Sequence, residues 1–203
     1  MQVLKDDIKK RIIQVSRHLF RKKGFRDTTT RDIADAADIT LSNLYHYFKS
    51  KDELFRYLLQ PVIDTLEDML YDYHGEEGDD VMCMTDEGYV ERAVSDYLHL
   101  ISGHKNGLKL LLFKAQGSSL ENYKEHYVNL STKQVVNWFH DMQRKHPELD
   151  MDVSEIFIHL NAVWMFTLME EILMHDLSED ETKKVISEYV KFQVIGWKKM
   201  MKI

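Results

Sequence analysis

Residues suited to contact a nucleic acid are concentrated in the stretch from 28 to 54. The Asn43 amide matches the edge of adenine, Ser42 can donate or accept a hydrogen bond, and Leu41 suits a thymine methyl group. A second group has hydroxyls, cations or rings suited to phosphate oxygens: Thr28, Thr30, Arg31, Tyr45, His46, Lys49 and Lys51. Together they predict a DNA-binding surface. The alternatives are an ordinary surface position for Asn43 and a core position for Tyr45.

Two short helices separated by a turn are expected to position these side chains. Thr40 can cap the second helix, because its hydroxyl can accept from a free backbone amide of the first turn. Leu44, Tyr47 and Phe48 lie at positions i, i+3 and i+4, which places them on one inward face. The turn is predicted over residues 38 to 41. This is the layout of a helix-turn-helix, in which the second helix enters the major groove.

A longer amphipathic helix precedes this pair. Its apolar residues recur every three or four positions: Leu4, Ile8, Ile12, Val15 and Leu19. Gly24 is placed to end the helix, and Arg21, Lys22 and Lys23 suit the negative end of its dipole. This helix is predicted to be scaffold.

The segment T-T-x-x-D-I-A-x-A-A-x-I-T-x-S-x-L-Y-H-Y-F-K-S-K-D-E-L, residues 28–54, resembles the DNA-binding domain of the tetracycline-repressor (TetR) family of bacterial transcription regulators. The resemblance extends over roughly residues 5–60. It implies an all-helical homodimer with three N-terminal helices for DNA and a ligand-binding and dimerisation domain after them. Two residues depart from the family pattern. Asp38 replaces a common glycine but tolerates a left-handed turn, and Leu41 replaces a basic or small residue.

Composition agrees with an all-α fold. The chain has 203 residues, 44% of them apolar, with two prolines and eight glycines, and strand-like alternation is scarce. With the resemblance, this predicts a helix-turn-helix domain at residues 1–50 and a helical ligand-binding and dimerisation domain at residues 51–203.

Charge is divided unevenly along the chain. Residues 1–60 contain 13 Lys and Arg against 8 Asp and Glu, whereas the remainder contains 14 against 26. A basic N-terminal quarter on an acidic body favours an anion-binding head, although ordinary solvated faces would give the same counts.

A cytoplasmic protein without a membrane span is expected. The single Cys83 excludes an internal disulfide, and no apolar signal segment opens the chain. The most apolar run, residues 160–169, is about half of what a bilayer requires. Cys83 lies between two methionines in a predicted loop, where a redox or soft-metal role is the alternative to an incidental thiol.

A helix beginning at Lys51 is predicted to run into the second domain. Ser50 and Glu53 have the spacing of a capping box. Pro61 lies within the helix and is expected to kink it. One hypothesis makes this kink a hinge that transmits strain between the domains; the alternative is a static bend.

Helices at about residues 89–101, 108–113 and 119–144 would then enclose a ligand cavity. Large side chains on them that can line it are Tyr97, Phe113, Tyr123, Trp138 and Met142. For each of these residues, a place in the core is the alternative.

The last two helices, at about residues 152–175 and 179–201, carry more apolar surface than one core can use. The final helix has two apolar stripes, and Gly196 permits a close helix approach. A four-helix interface between two copies of the chain would bury the second stripe. A large intramolecular core is the alternative.

The expected function is therefore that of a transcriptional regulator, a repressor released from its DNA operator by an unknown small molecule. No cofactor, metal site or catalytic residue is predicted. One alternative is a DNA-binding dimer that senses no ligand. Another is a metal-dependent helical enzyme using the pairs Glu155/His159 and Glu171/His175, although no established catalytic motif accompanies them.

Overall fold

All regular structure in the described part of the chain is helical, which confirms the all-α prediction. The computed structural model describes the backbone of residues 2–203 and the side chains of residues 6–203, so the Leu4 side chain lies outside it. The α-helices are α1 Gln2–Lys23, α2 Thr30–Ala36, α3 Leu41–Tyr47, α4 Lys51–His74, α5 Tyr89–Gly103, α6 Lys105–Phe113, α7 Tyr123–Lys145, α8 Glu155–Met174 and α9 Glu179–Met201. A short 3-10 helix, Val81–Thr85, lies within the predicted loop before α5.

Helix bounds follow local capping signals. Helix α9 has the predicted bounds, because Ser178 and Glu181 form a complete capping box at its start. Helix α7 begins at Tyr123 rather than near Ser119. The intervening residues form tight turns instead, with the Tyr123 amide donating to the Leu120 carbonyl at 3.1 Å.

Contacts divide the chain into two compact units. The head unit comprises the chain through Ile63 together with Asn106–Tyr123, and the trunk unit comprises Asp64–Lys105 and Lys124–Ile203. Compared with the predicted domain of residues 1–50, the head unit also takes in the start of α4 and most of α6. The division falls within α4, shortly after Pro61. The kink and the hinge at Pro61 stay predictions.

The head unit is built around an aromatic cluster. Phe55 of α4 packs against Phe20 and Phe25, with ring centroids 4.9 and 5.0 Å away. The Phe25 amide also donates to the Lys114 carbonyl just after α6, at 2.9 Å. These contacts explain why the start of α4 and α6 belong to the head.

The buried face of α1 is rotated relative to the predicted stripe. Ile12, Ser16 and Phe20 are fully buried, whereas Val15 and Leu19 are only partly buried. Phe20 anchors this face because its ring completes the aromatic cluster.

Helices α5, α7, α8 and α9 and the end of α4 form the trunk unit. Helix α8 is apolar nearly all round and is long enough, at 20 residues with a mean hydropathy of 1.4, to meet the criteria of a membrane span. Only 28% of its most apolar window is buried. Much of its apolar surface therefore faces outwards in a single copy of the chain.

Candidate nucleic-acid interface and cavity

Helix α2 is fixed at its N-terminus by a reciprocal cap. The Asp32 amide donates to the Thr29 hydroxyl at 3.0 Å, and the Thr29 amide donates to the Asp32 carboxylate at 3.0 Å. The bond from the Thr29 amide holds the pKa of Asp32 below its usual value. Lys23 adds an ion pair to the same carboxylate at 3.2 Å. The end of α1 and the start of α2 are thereby joined.

The turn between α2 and α3 has the predicted left-handed residue. Asp38 has a φ of 51°, and the next amide, of Ile39, donates to the Ala34 carbonyl at 3.1 Å. Thr40 caps α3 as predicted, accepting from the Asn43 amide at 3.1 Å. Leu41 lies in the first turn of α3 rather than in the break.

The outer face of α3 carries most of the predicted DNA contacts. Ser42, Tyr45, His46 and Lys49 are exposed, and their spacing of three, one and three residues places Ser42, Tyr45 and His46 on one face of α3, with Lys49 just after its end. Leu44 and Phe48 are buried beneath them, whereas Tyr47, predicted to share this inward face, is only partly buried. The helix is therefore held from below while its polar side is free.

The start of α2 lies beside this face. The Tyr45 hydroxyl donates to the Thr30 hydroxyl at 3.5 Å, and Arg31 is exposed on α2. Leu41 and Asn43 are partly exposed near the N-terminus of α3. We call the set Thr30, Arg31, Leu41, Ser42, Asn43, Tyr45, His46 and Lys49 the α3 surface.

The prediction that Thr28 contacts DNA is wrong. Its side chain is fully buried, and its hydroxyl donates to the Gly24 carbonyl at 2.7 Å. The bond closes the turn between α1 and α2, so this hydroxyl does not face a DNA partner.

Lys51 also has an internal role. Its Nζ donates to the Phe25 and Thr28 carbonyls, each at 2.7 Å, and lies 4.1 Å from the centre of the Phe25 ring. Burial lowers the pKa of this ammonium. Lys51 therefore joins the start of α4 to the turn after α1, a role that its residue type alone does not distinguish from phosphate binding.

The predicted capping box at α4 forms only in part. The Glu53 amide donates to the Ser50 hydroxyl at 3.0 Å, but the Glu53 carboxylate accepts from the Lys49 amide at 2.7 Å rather than from Ser50.

The trunk unit contains a half-open cavity of about 220 Å³. It is lined by α4, α5, α7, α8 and α9 and by Met84 of the 3-10 helix. Two of the predicted lining residues, Tyr97 and Trp138, lie in its wall.

The other three predicted lining residues lie elsewhere. Phe113 ends α6 and is 41% exposed, and Tyr123 is buried and is the last residue of the head unit. Met142 packs in the apolar cluster of Val81 and Phe139, with its sulfur accepting from the Val81 amide at 3.4 Å. For Phe113 the error arises because most of α6 belongs to the head unit, whereas Met142 belongs to the trunk unit but packs in a neighbouring apolar cluster.

The cavity wall is aromatic and uncharged. Sequence reasoning missed most of its large residues, which are Tyr73, His74, Tyr89, Tyr127, Phe139, Tyr189 and Trp197. They come from separate helices and form no motif. The available signal was the inward stripe of each helix, such as the one on α9 that contains Val190, Val194 and Trp197.

Burial keeps the titratable groups of the wall neutral. It lowers the pKa of His74 to about 4 and raises the pKa of Tyr97 well above its usual value. Several polar groups are already bonded: the Tyr73 hydroxyl to Asp96 at 2.6 Å, the Tyr127 hydroxyl to the Leu66 carbonyl at 2.8 Å, and Trp138 Nε1 to the Asp79 carbonyl at 2.9 Å.

Helices α8 and α9 expose an apolar patch, defined here as Ile156, Leu160, Trp164, Phe192 and Ile195. Ile156 and Phe192 are each 65% exposed, and Ile195 is 68% exposed. The Trp164 and Phe192 rings stack edge to face with centroids 5.5 Å apart, which joins the two helices. Gly196 lies beside the patch, with open space where a side chain would be.

The histidine pairs considered for a metal site do not converge. His175 pairs with Glu171 at 3.1 Å on the surface, and His159 lies 3.4 Å from the Thr132 hydroxyl. Among the side chains of residues 6–203, no three of His, Cys, Asp and Glu are grouped as metal ligands.

Comparison with known proteins identifies the N-terminal segment. Residues 12–58 match the family described as bacterial regulatory proteins, tetR family. A 55-residue segment is 40% identical to the HTH-type transcriptional repressor KstR2 of Mycolicibacterium smegmatis, covering 27% of each chain. The chain thus matches about a quarter of the length of this relative.

Solved structures share the fold over nearly the whole chain. NalD of Pseudomonas aeruginosa, the secondary repressor of the MexAB-OprM multidrug efflux pump, aligns with a TM-score of 0.64 at 16% identity, covering 94% of this chain and 96% of its own. The transcriptional regulator FadR of Bacillus subtilis, solved with stearoyl-CoA, aligns with a TM-score of 0.56 at 16% identity, covering 90% of this chain and 97% of its own. The helix-turn-helix and the family match therefore agree for residues 12–58, which are similar to the tetR family of bacterial regulatory proteins, and the fold shared with the solved structures extends over nearly the whole chain.

Proposed function

We propose that this protein is a DNA-binding transcriptional repressor that leaves its operator when a small molecule binds in the trunk cavity. The observation that carries the proposal is the α3 surface. Its polar residues are displayed on a helix held by a cap at Thr40 and by the buried Leu44 and Phe48. Such a helix can enter the major groove with its N-terminal residues against base edges.

Residues of the α3 surface divide by chemistry. Asn43, near the N-terminus of α3, suits a bidentate contact with adenine, and Leu41 suits a thymine methyl. Tyr45, His46 and Lys49 suit phosphates, which fix the register of the protein on the duplex. Lys51 supports this surface from within rather than contacting DNA.

The DNA-binding form is proposed to be a homodimer joined through the apolar patch of α8 and α9. An exposed apolar surface of this kind is characteristic of a protein interface. A two-fold axis there would pair the same helices from both copies. It would also present two α3 surfaces to half-sites about one turn of DNA, roughly 34 Å, apart.

Release by a ligand follows from linkage. A molecule that binds better to one spacing of the two heads shifts the population towards that spacing. The aromatic cavity in the trunk unit favours this proposal over a regulator that senses nothing. FadR, whose solved form contains stearoyl-CoA, and KstR2, named as a repressor, support it by analogy. The protein would act in the cytoplasm without catalysis, cofactor or membrane.

The test is binding of DNA from around the protein's own gene, measured by fluorescence anisotropy at several salt concentrations. We expect a clear preference over scrambled DNA of the same length and an affinity that falls as salt rises. Asn43→Ala should weaken the preferred complex by about 1–3 kcal/mol. The matched control Asn129→Ala, on the exposed side of α7, should leave it unchanged. Equal affinity for both DNAs would refute the proposal.

A further inference from the structure

The α3 surface carries little positive charge for a surface that is proposed to bind DNA. Of its eight residues, only Arg31 and Lys49 are Lys or Arg. Lys51, which would extend the surface, donates to two carbonyls within the head unit instead. Contacts to phosphate dominate the affinity of proteins for DNA. Other cations of the head unit are therefore expected to contribute phosphate contacts.

Most of the positive charge of the head unit lies on α1. This helix contains eight of the 13 Lys and Arg residues found in residues 1–60. Lys10 and Lys22 are exposed and face away from the core. Lys9 is only partly exposed, and it precedes the buried Ile12 and Ser16 by three and seven residues, which places it on the buried face of the helix. Lys9 therefore points towards the rest of the head unit.

The Lys9 ammonium is held over two aromatic rings. Its Nζ lies 4.6 Å from the centre of the Tyr57 ring and 5.8 Å from that of the Phe48 ring. The two rings pack edge to face with centroids 5.4 Å apart. Ring faces attract a cation in such a position. The ring pair therefore holds the ammonium in a defined place, although a lysine side chain is long and flexible.

The acidic residues near this ammonium do not neutralise it. Among the side chains of residues 6–203, Lys9 contacts only the two rings and forms no ion pair. Glu53 lies one turn before Tyr57 on α4, and its carboxylate accepts from the Lys49 amide at 2.7 Å. Asp6 precedes Lys9 on α1 and is exposed to solvent. An ammonium has three N–H donors, so Lys9 can bind an anionic oxygen while it stays over the rings.

The ring pair adjoins the end of the α3 surface. Phe48 is the C-cap of α3 and directly precedes the exposed Lys49. Tyr57 is 46% exposed, so the pair is open to solvent on one side. A helix in the major groove is positioned by contacts to the phosphates beside it. A phosphate next to Lys49 is therefore accessible from Lys9 as well.

We infer that Lys9 binds a phosphate of the DNA backbone beside the C-terminal end of α3, and that Tyr57 and Phe48 position its ammonium for this contact. The inference rests on the proposed function and adds a DNA contact from α1 to it. The contact is independent of base sequence, because every base pair presents the same phosphates. It attaches α1 to the duplex that α3 reads.

Lys9→Met tests this contact on the full-length protein. Anisotropy is measured at several salt concentrations with the preferred DNA and with scrambled DNA of the same length. One phosphate contact contributes about 0.9 to the slope of log affinity against log salt, or roughly 8-fold between 1 M and 0.1 M salt. Lys9→Met should therefore weaken both complexes about 8-fold per chain at 0.1 M salt and reduce the slope by about 0.9 per chain. An unchanged slope would overturn the inference.

Lys22→Met is the matched control on the same helix. Lys22 is exposed and lies roughly 20 Å from Lys9 along α1, which is more than the screening length of about 10 Å in 0.1 M salt. Its replacement should leave affinity and slope nearly unchanged. A loss equal to that of Lys9→Met would show that only the total charge of the head matters, and it would contradict a defined contact at Lys9.

Lys9→Arg and urea unfolding separate phosphate binding from a structural role. Arginine keeps the positive charge over the rings, so it should keep the salt slope of the original protein. Lys9→Met should leave the protein folded at the temperature of the binding assay. A fall in the urea midpoint of Lys9→Met with an unchanged salt slope would assign Lys9 a structural role and would overturn the inference.

Two substitutions of Tyr57 test its positioning role. Tyr57→Leu removes the ring beneath the ammonium and should weaken both complexes about 3-fold. Tyr57→Phe keeps a ring and should restore the original affinity. Tyr71→Leu, at an exposed tyrosine further along α4, should change neither complex. An equal loss from Tyr57→Phe and Tyr57→Leu would contradict the role of the ring.

Use of two DNAs separates this inference from the proposed function. If the protein shows no preference between them, but Lys9→Met weakens both and reduces the slope, the proposed function is removed and the contact stands. If a clear preference is present and Lys9→Met changes neither affinity nor slope, the contact is removed and the proposed function stands.

Discussion

Replacing Lys51 by methionine tests whether this residue supports the head or contacts DNA. Methionine keeps most of the apolar stem and removes the ammonium. The Phe25 and Thr28 carbonyls then lose a donor at 2.7 Å each, and the Phe25 ring loses a cation 4.1 Å away.

The expected cost can be estimated from these contacts. A hydrogen bond to a charged group contributes about 1.5–3 kcal/mol, and a cation over an aromatic ring contributes about 0.5–1 kcal/mol. Burial of the ammonium, which lowers its pKa, offsets part of this gain. A net loss of about 2–3 kcal/mol in the free energy of unfolding follows, equivalent to a fall of roughly 1 M in the urea midpoint.

The assay combines urea unfolding with DNA binding, and Lys49→Met is the matched control. Lys49 is exposed, so its replacement should change stability by less than about 0.5 kcal/mol and weaken DNA binding at all sequences alike. Lys51→Met should do the opposite: lower stability, with near-normal affinity well below the unfolding transition. Unchanged stability together with a large loss of DNA affinity would refute the internal role.

Three further predictions concern the turn, the cavity and the dimer. Asp38→Val should lower stability by about 1–2 kcal/mol in urea unfolding, because a β-branched residue tolerates the φ of 51° poorly; an unchanged value would contradict the left-handed turn. His74 has a pKa of about 4 in the folded protein, against a usual 6.5. Its contribution to the free energy of unfolding is therefore present above pH 6.5 and is lost as the pH falls towards 4. Unfolding at pH 7 and pH 5 should differ by about 2 kcal/mol from this residue, a difference that His74→Leu removes; the same pH dependence in the variant would refute it. Ile195→Glu should yield monomers in sedimentation, whereas Lys183→Glu, elsewhere on α9, should stay dimeric; dimers from both would place the interface elsewhere.

Local signals allowed the helices and the helix-turn-helix to be predicted. Thr40 at a cap, Asp38 in a left-handed turn and the bounds of α9 depend on neighbouring residues, which the sequence displays directly. The role of a residue was harder to predict where its side chain suits both a DNA phosphate and a contact inside the protein. Thr28 and Lys51 have side chains suited to phosphate, and only the packing of α1 against α4 shows that both bind carbonyls within the head.

The lining of the cavity could not be predicted without knowing how the helices pack. Its wall combines residues from five helices and a 3-10 turn, so no spacing along the chain marks it. Phe113 and Tyr123 were plausible lining residues by size. Phe113 lies in the head unit because the end of α6 is joined to Phe25, a contact between residues about ninety positions apart, and Tyr123 is the last residue of the same unit.

Hydroxyl-radical footprinting on the DNA around the protein's own gene tests the central claim most directly. A dimer that presents two α3 surfaces predicts two clusters of protected sugars about 10 base pairs apart, centre to centre. Addition of a saturating small molecule that binds in the trunk cavity should remove both clusters together. A single protected cluster, or protection spread evenly over every DNA tested, would contradict the account.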